Sequence, residues 1–266
     1  MDVNEMKTIV PDYYKEFKCI ANKCKHTCCR DWEVEIDDDS LKRFEAIPYI
    51  NEQIERGEDN HFKLLEGDIC PFLREDGFCE MICRYGEDIL CQTCSDHPRF
   101  RNFWEDRIEM GLGLVCEEAC RLVLTREQPM KLEVLEASED DTDPAEVIEG
   151  VDQTENSEYV KLPEDEAWLM ELRDEMLRGV PGSGPIARLR EYLIYRHIAD
   201  ALYDDRLEER IEFVNTCADM IEKQWLASDG KTETLIDMVR QFSYEVEYDE
   251  DVKEVMFDGD YSFFEK

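Results

Sequence analysis

The chain has 266 residues, 42% of them hydrophobic, which is enough for a substantial core and argues against wholesale disorder. Asp and Glu number 67 against 31 Lys and Arg, a formal net charge of −36. Such a polyanion repels phosphate backbones and anionic lipid, so nucleic acid and membrane surfaces are ruled against, and a basic, lysine-bearing protein is the favoured partner.

No run of about eighteen apolar residues is present, the least a membrane-spanning helix needs. The stretch from Met1 to Pro11 has no apolar segment of the signal-peptide kind, so a cytoplasmic location is expected. That expectation decides how the 12 cysteines are read, because clustered thiols in a reducing compartment bind metal more often than they pair.

All the cysteines except Cys217 lie between Cys19 and Cys120. The expected fold is mainly α, with an irregular cysteine-rich metal-cluster module and few short strands. Residues 1–127 form the cysteine-rich module, 128–163 an acidic linker or loop, and 164–266 a helical domain. Within the first part, Trp32 to Ile36 alternates like a short strand, and Asp37 to Ser40 caps a helix running from Leu41 towards Ile47. Glu105 to Leu114 reads as a strand or extended segment, and Glu117 to Thr125 as a short helix. The following stretch holds Ala137-Ser138-Glu139-Asp140-Asp141-Thr142-Asp143-Pro144 and is broken by Pro129, Pro144 and Pro163, a solvated composition.

Beyond it the rhythm is helical. Helices are predicted from Glu164 to Arg178, Ile186 to Tyr203, Arg206 to Leu226 and Thr232 to Glu245. A breaker from Gly179 to Pro185 separates the first two. Cys217 falls on an apolar stripe beside Val214 and Ile221, where packing is its expected role. The acidic, aromatic tail from Asp249 is expected either to dock or to fray.

The cysteine spacing runs Cys19, x4, Cys24, x3, Cys28-Cys29, then Cys70, x8, Cys79, x3, Cys83, x7, Cys91, x2, Cys94, then Cys116, x3, Cys120. Cys91-Gln92-Thr93-Cys94 is a short clip whose two thiolates can reach one metal. Thiolates are soft donors that select zinc or an iron–sulfur cluster, and spacing alone does not choose between them. His26, inside the first group, is either a ligand or a loop residue. Asp31, Asp96 and Arg99 flank the cysteine blocks and are candidates for contacts around the metal or to substrate, with solvated loop charges as the plainer reading. Gly111-Leu112-Gly113 and Gly182-Ser183-Gly184 lack the strand-and-helix context of a nucleotide-binding turn and read as bends. The C-x3-C-x2-C spacing of radical enzymes is absent.

Four blocks together resemble a known family. They are Cys19 to Asp37; Cys70-Pro71-Phe72-Leu73 with Gly77-Phe78-Cys79; Gly86 to Cys94 with Pro98-Arg99; and Cys116 to Leu124. Over about residues 10–126 the chain resembles the cysteine-cluster proteins typified by flagellin lysine-N-methylase. The resemblance implies an enzyme that uses S-adenosylmethionine to methylate a lysine of flagellin or another protein. It also implies an iron–sulfur cluster, of the four-iron type, held by Cys19, Cys24, Cys28, Cys29, Cys70, Cys79, Cys91, Cys94 and Cys116. Zinc is the alternative metal. The alternative function is a non-catalytic metal module that binds a basic partner or delivers metal. Catalytic and donor-binding residues are not assigned. Cys83 and Cys120 stand where the family pattern has no cysteine, and His97 where an aromatic is usual.

Overall fold

The structure, a computed structural model, describes residues 7–57, 59–104, 107–135 and 167–265. It is mainly helical with a few short strands. The described residues fall into two compact units, one of 7–17, 101–104, 107–135 and 167–265, the other of 18–57 and 59–100. Residues 7–17, 101–104 and 107–127, expected with the cysteines, thus fold with the helices. In the predicted linker, Leu132–Leu135 is a strand, while 136–163 lies outside the described residues.

The reason is a four-stranded sheet whose order is Arg99–Phe103, Arg107–Leu112, Lys7–Pro11, Leu132–Leu135. Lys7–Pro11 pairs parallel with Arg107–Leu112, Thr8 opposite Ile108, and antiparallel with Leu132–Leu135, Ile9 opposite Val134. A parallel pair needs a long crossover. Here the crossover is the whole cysteine-rich unit, which is inserted in the chain between the two strands.

Helices Glu117–Leu124, Ala167–Gly179, Pro185–His197, Leu207–Ala227, Thr232–Phe242 and Glu250–Phe257 belong to the same unit as the sheet. Leu207–Ala227 packs on Pro185–His197, and Thr232–Phe242 on Glu117–Leu124. Leu189, Leu193, Phe213, Val214, Leu235 and Val239 are all buried at the 3.6-residue rhythm read from the sequence. The breaker holds: Gly182 and Gly184 take the left-handed backbone that glycine favours, at φ 80° and 96°.

Two helices end earlier than the apolar pattern implies. The predicted 186–203 helix stops at His197 and resumes as Ala201–Asp204. Arg210 reaches the break, donating to the His197 carbonyl at 3.0 Å and pairing with Asp204 at 2.7 Å. The predicted 232–245 helix changes at Ser243 to a π-helical turn, Ser243–Glu247, in which Ser243, Val246 and Glu247 are buried. The tail docks. Asp249 caps Glu250–Phe257 by accepting from Val252 N at 3.0 Å, and the Phe264 ring stacks on Phe242 at 6.0 Å. Cys217 is fully buried on the helix stripe, and Cys217→Ala is expected to cost about 1–2 kcal/mol in a denaturation experiment while leaving bound metal unchanged.

Glu247 gathers a buried polar group. Its Oε1 meets His197 Nε2 at 2.8 Å and Arg196 Nε at 3.2 Å, and Tyr192 donates to it at 3.1 Å. Burial works against its charge, but the Arg196 guanidinium and the His197 bond outweigh that and hold the carboxyl at about 2, against a usual 4.5. Burial lowers His197 to about 4 and raises nearby Asp200 to about 6. A depressed carboxylate stabilises the fold above its unfolded value and loses that contribution as pH falls through its folded value. His197 also weakens the fold as pH falls from 6.5 to 4, whereas Asp200 does the reverse over nearly the same window, so these two offset each other. The melting-temperature gap between the protein and its Glu247→Gln variant should therefore close as pH falls from about 4.5 towards 2. A gap independent of pH down to 2 would contradict the shift.

The cysteine-rich unit has four short helices, Asp38–Glu45, Pro48–Asn51, Glu80–Tyr85 and Gln92–Asp96, and one two-stranded ribbon, Ile54–Glu55 with His61–Phe62. Its core is Phe44, Ile50, Phe62, Phe72 and Met81 together with Cys70 and Cys91. Val34 and Ile36 are buried and Glu35 exposed, as alternation requires, but the segment makes only an isolated bridge, Glu35 to His61, and no strand. Among the described residues no helix is long and apolar enough to cross a membrane.

Candidate metal centre

The first block, Cys19 to Cys29, has little regular structure. Cys19 and Cys24 flank a single 3₁₀ turn, Ala21–Lys23. The Cys19 Sγ accepts from Ala21 N at 3.4 Å, and the Cys24 thiol donates to the His26 carbonyl at 3.2 Å. Cys29 N donates to Thr27 Oγ1 at 3.2 Å. Trp32 Nε1 donates to the Cys28 carbonyl at 2.6 Å. Neighbouring side chains on an extended chain point apart, but this turn keeps Cys28 and Cys29 within hydrogen-bonding reach of each other.

Backbone bonds bring the second block to the first. Cys70 N donates to the Cys29 carbonyl at 3.0 Å, and Asp31 N to the Asp68 carbonyl at 2.9 Å. Leu73 then bridges to Cys79, which precedes the helix Glu80–Tyr85. Cys83 lies one turn along that helix, its N bonded to the Cys79 carbonyl at 3.0 Å.

The third block is fastened by Asp37, which caps two helices at once. One carboxylate oxygen accepts from Ser40 N at 2.8 Å, in its own helix, and the other from Gln92 N at 2.8 Å, at the start of Gln92–Asp96. Both bonds favour the charged form and hold the Asp37 carboxyl below its usual value despite partial burial. Thr93 Oγ1 adds a bond to the Glu35 carbonyl at 2.9 Å. The clip Cys91 to Cys94 is thereby seated beside the first block. In the sequence Asp37 reads as the cap of the first helix alone, because nothing local announces its second partner 55 residues on.

The result is a gathering of thiols. Hydrogen bonds from Cys28 and then Cys70 favour the Cys29 thiolate and lower that thiol markedly. Its partner Cys70 is pushed up by the same bond and by burial. The Cys91–Cys94 pair divides the same way, Cys91 down and Cys94 up, and Cys94 also feels the charges of Cys29 and Cys70. Burial raises Cys79, which further feels Cys29 and Cys83. Cys28, Cys29, Cys70, Cys79, Cys91 and Cys94 therefore form one electrostatically connected group, with Cys83 at its margin. Among the described residues, no three His, Cys, Asp or Glu side chains stand at the spacing of a closed metal site. The donor chemistry fits a thiophilic metal: soft sulfur ligands, one of them biased towards thiolate, seated on short helices and turns.

Cys116 precedes the helix Glu117–Leu124 in the other unit, beside Cys120. Cys120 is buried, and its thiol donates to the Ile236 carbonyl at 3.5 Å, a packing role. Among the flanking charges, Asp96 accepts from Gln92 Nε2 at 2.6 Å and Arg99 donates to the Ser95 carbonyl at 3.4 Å, so both brace the third block. Residues 111–113 run from the strand Arg107–Leu112 into a turn and form no nucleotide-binding loop.

Lysine-N-methylase of Salmonella typhimurium and that of Salmonella choleraesuis are each 26% identical to this chain over 144 residues, 49% of this chain and 35% of theirs. This chain resembles the lysine-N-methylases over half of its length. The flagellar biosynthetic protein FliU of Salmonella muenchen is 25% identical over 146 residues and is covered over 84% of its length. The chain thus matches about a third of the length of the two lysine-N-methylases. No family description matches it, and no solved structure does.

Proposed function

We propose that this protein is a protein-lysine N-methylase-like enzyme of the cytoplasm that carries a thiol-held iron–sulfur cluster. The observation that carries the reading is the likeness to lysine-N-methylases, and the likeness to a flagellar protein makes flagellin the first substrate to test. In the reaction the C–S bond of the S-adenosylmethionine sulfonium breaks and a bond forms from its methyl carbon to the lysine Nε. The amine gives up a proton to a base, and S-adenosylhomocysteine leaves. The nucleophile must be the neutral amine, so a group that accepts the lysine proton is required.

Cys28, Cys29, Cys70, Cys79, Cys91 and Cys94 are the residues of the thiol group that would hold the cluster, and Cys19 and Cys24 lie in the same unit. Bound there, the metal supplies cross-links that stand in for part of a core in a unit poor in regular structure. The net charge of −36 draws a lysine-rich face by its long-range field, so association should weaken as salt rises. A second reading, a structural zinc site in a non-catalytic module, is favoured by the burial of Cys70 and Cys91 within the unit's hydrophobic core.

The test incubates anaerobically reconstituted protein with methyl-labelled S-adenosylmethionine and flagellin, and locates label on lysine by mass. Label on flagellin lysine is the expected result. Protein with full metal that fails to bind the methyl donor would overturn the methylase reading. Donor binding without transfer would replace flagellin with another lysine-bearing protein.

A further inference from the structure

Cys91 is fully buried in the same core as Cys70, and Cys29, Cys79 and Cys94 pack against that core. The peptide groups on both sides of Cys91 are held by side chains from one distant stretch of chain. Before it, the Leu90 carbonyl accepts from Arg43 Nη2 at 3.0 Å, and the Asp88 carbonyl from Arg43 Nη1 at 3.1 Å. After it, Gln92 N donates to Asp37 Oδ2 at 2.8 Å. Ser40, 1% exposed, joins the two holders. Its N donates to Asp37 Oδ1 at 2.8 Å, and its hydroxyl accepts from Arg43 Nη2 at 2.7 Å.

Peptide planes are rigid, so a residue whose two flanking peptides are fixed has its φ and ψ fixed, and with them the direction of its side chain. Cys91 sits at φ −70° and ψ 164°, and its carbonyl accepts from Ser95 N at 2.9 Å. Cys70 is held instead by backbone, its N bonded to the Cys29 carbonyl and its carbonyl to Leu73 N, each at 3.0 Å. An ordinary helix cap needs only the bond to Ser40 N. The second Asp37 oxygen and both carbonyl bonds of Arg43 serve the approach to the clip.

We infer that Asp37 and Arg43 are positioning residues that hold the Cys91 thiol among its neighbouring sulfurs through protein bonds alone. The consequence for metal rests on the metal-binding part of the proposed function; the hold on Cys91 does not. Asp37 is the stronger arm, because it is half-buried and accepts as a carboxylate, whereas Arg43 is exposed.

The full chain is reduced, freed of metal with a chelator and treated with iodoacetamide, and modification is read at each cysteine by mass. Cys91 should react slowly in the unaltered protein. Asp37→Ala should raise its rate about tenfold and Arg43→Met about threefold, while Cys70 keeps its rate. Asp37→Asn retains one acceptor oxygen and should fall between the unaltered protein and Asp37→Ala. Equal acceleration of Cys70 and Cys91 would make the two residues general stabilisers of the unit and overturn the inference. So would a Cys91 that reacts in the unaltered protein as fast as in urea. The same chains are then titrated with cobalt(II) alone. Thiolate-to-cobalt absorption should reach the same final intensity in Asp37→Ala but need about tenfold more cobalt, since Asp37 positions a ligand and is not one. An unaltered protein without that absorption would remove the metal-binding reading, and the alkylation rates would still decide the inference.

Discussion

Arg173→Met is expected to destabilise the helical unit by about 3–5 kcal/mol. Arg173, on the helix Ala167–Gly179, is 2% exposed, and Glu109, on the strand Arg107–Leu112, is 1% exposed. The guanidinium donates to both carboxylate oxygens, at 2.5 and 3.1 Å, a bidentate pairing that lysine could not reproduce. It also stands 5.4 Å from the centre of the Tyr195 ring, whose hydroxyl donates to the Met110 carbonyl at 3.0 Å. Burial acts to lower the Arg173 guanidinium, but the Glu109 charge and hydrogen bonds prevail and raise it, so the guanidinium keeps its charge.

Methionine keeps much of the side chain's volume and removes its charge, leaving a buried carboxylate with Arg107 Nε at 3.5 Å as its near cation. The cost is chiefly that of the stranded Glu109, not the worth of the pair. The double variant Arg173→Met with Glu109→Gln should therefore recover part of the loss in a urea titration. A single-variant cost below about 1 kcal/mol, the size of a surface pair, would show that water reaches the site.

Legibility in the sequence tracked the range of the interactions. The helical unit was largely readable because each helix carries its own apolar stripe: Leu189, Leu193 and Ile198, or Phe213, Val214, Cys217 and Ile221, declare a buried face without reference to the rest of the chain. The early endings were not readable, since Arg210 meets His197 from 13 positions away and Glu247 meets Tyr192 from 55. The strand Lys7–Pro11 is five residues long and takes its partners from 107–109 and 132–135, so no local pattern marks it. That strand also explains the domain boundary, because it ties residues 7–17 to the sheet.

In the cysteine-rich unit the blocks were visible as spacing, and the Cys91 to Cys94 clip forms the close pair its x2 spacing implies. The seating of that clip depends on Asp37, a long-range pairing by a residue that reads locally as an ordinary helix cap. Cys83 was visible as a departure, and it lies one turn into the helix that Cys79 precedes.

Replacing Cys91 and Cys94 together by Ser is expected to abolish most metal binding and to unfold the cysteine-rich unit. Cys91 is fully buried and precedes the helix that Asp37 caps, and Cys94 packs against the same core as Phe44, Ile50 and Phe72. Two hydroxyls in place of these sulfurs remove the soft donors and place polar groups against an apolar wall. Binding free energy at a structural thiolate site is folding free energy, on the order of 10 kcal/mol for zinc in small domains, and this unit has few regular elements to compensate. The measurements are metal per chain by elemental analysis and amide hydrogen exchange resolved by peptide. Residues 18–100 should lose protection, while helices such as Leu207–Ala227 keep theirs because their core contains none of the exchanged side chains. A Cys217→Ser variant controls for the loss of a buried thiol as such. Full metal with undiminished protection over 18–100 in the double variant would refute the centre as drawn. Loss of protection without any metal in the parent protein would make Cys91 and Cys94 packing residues only.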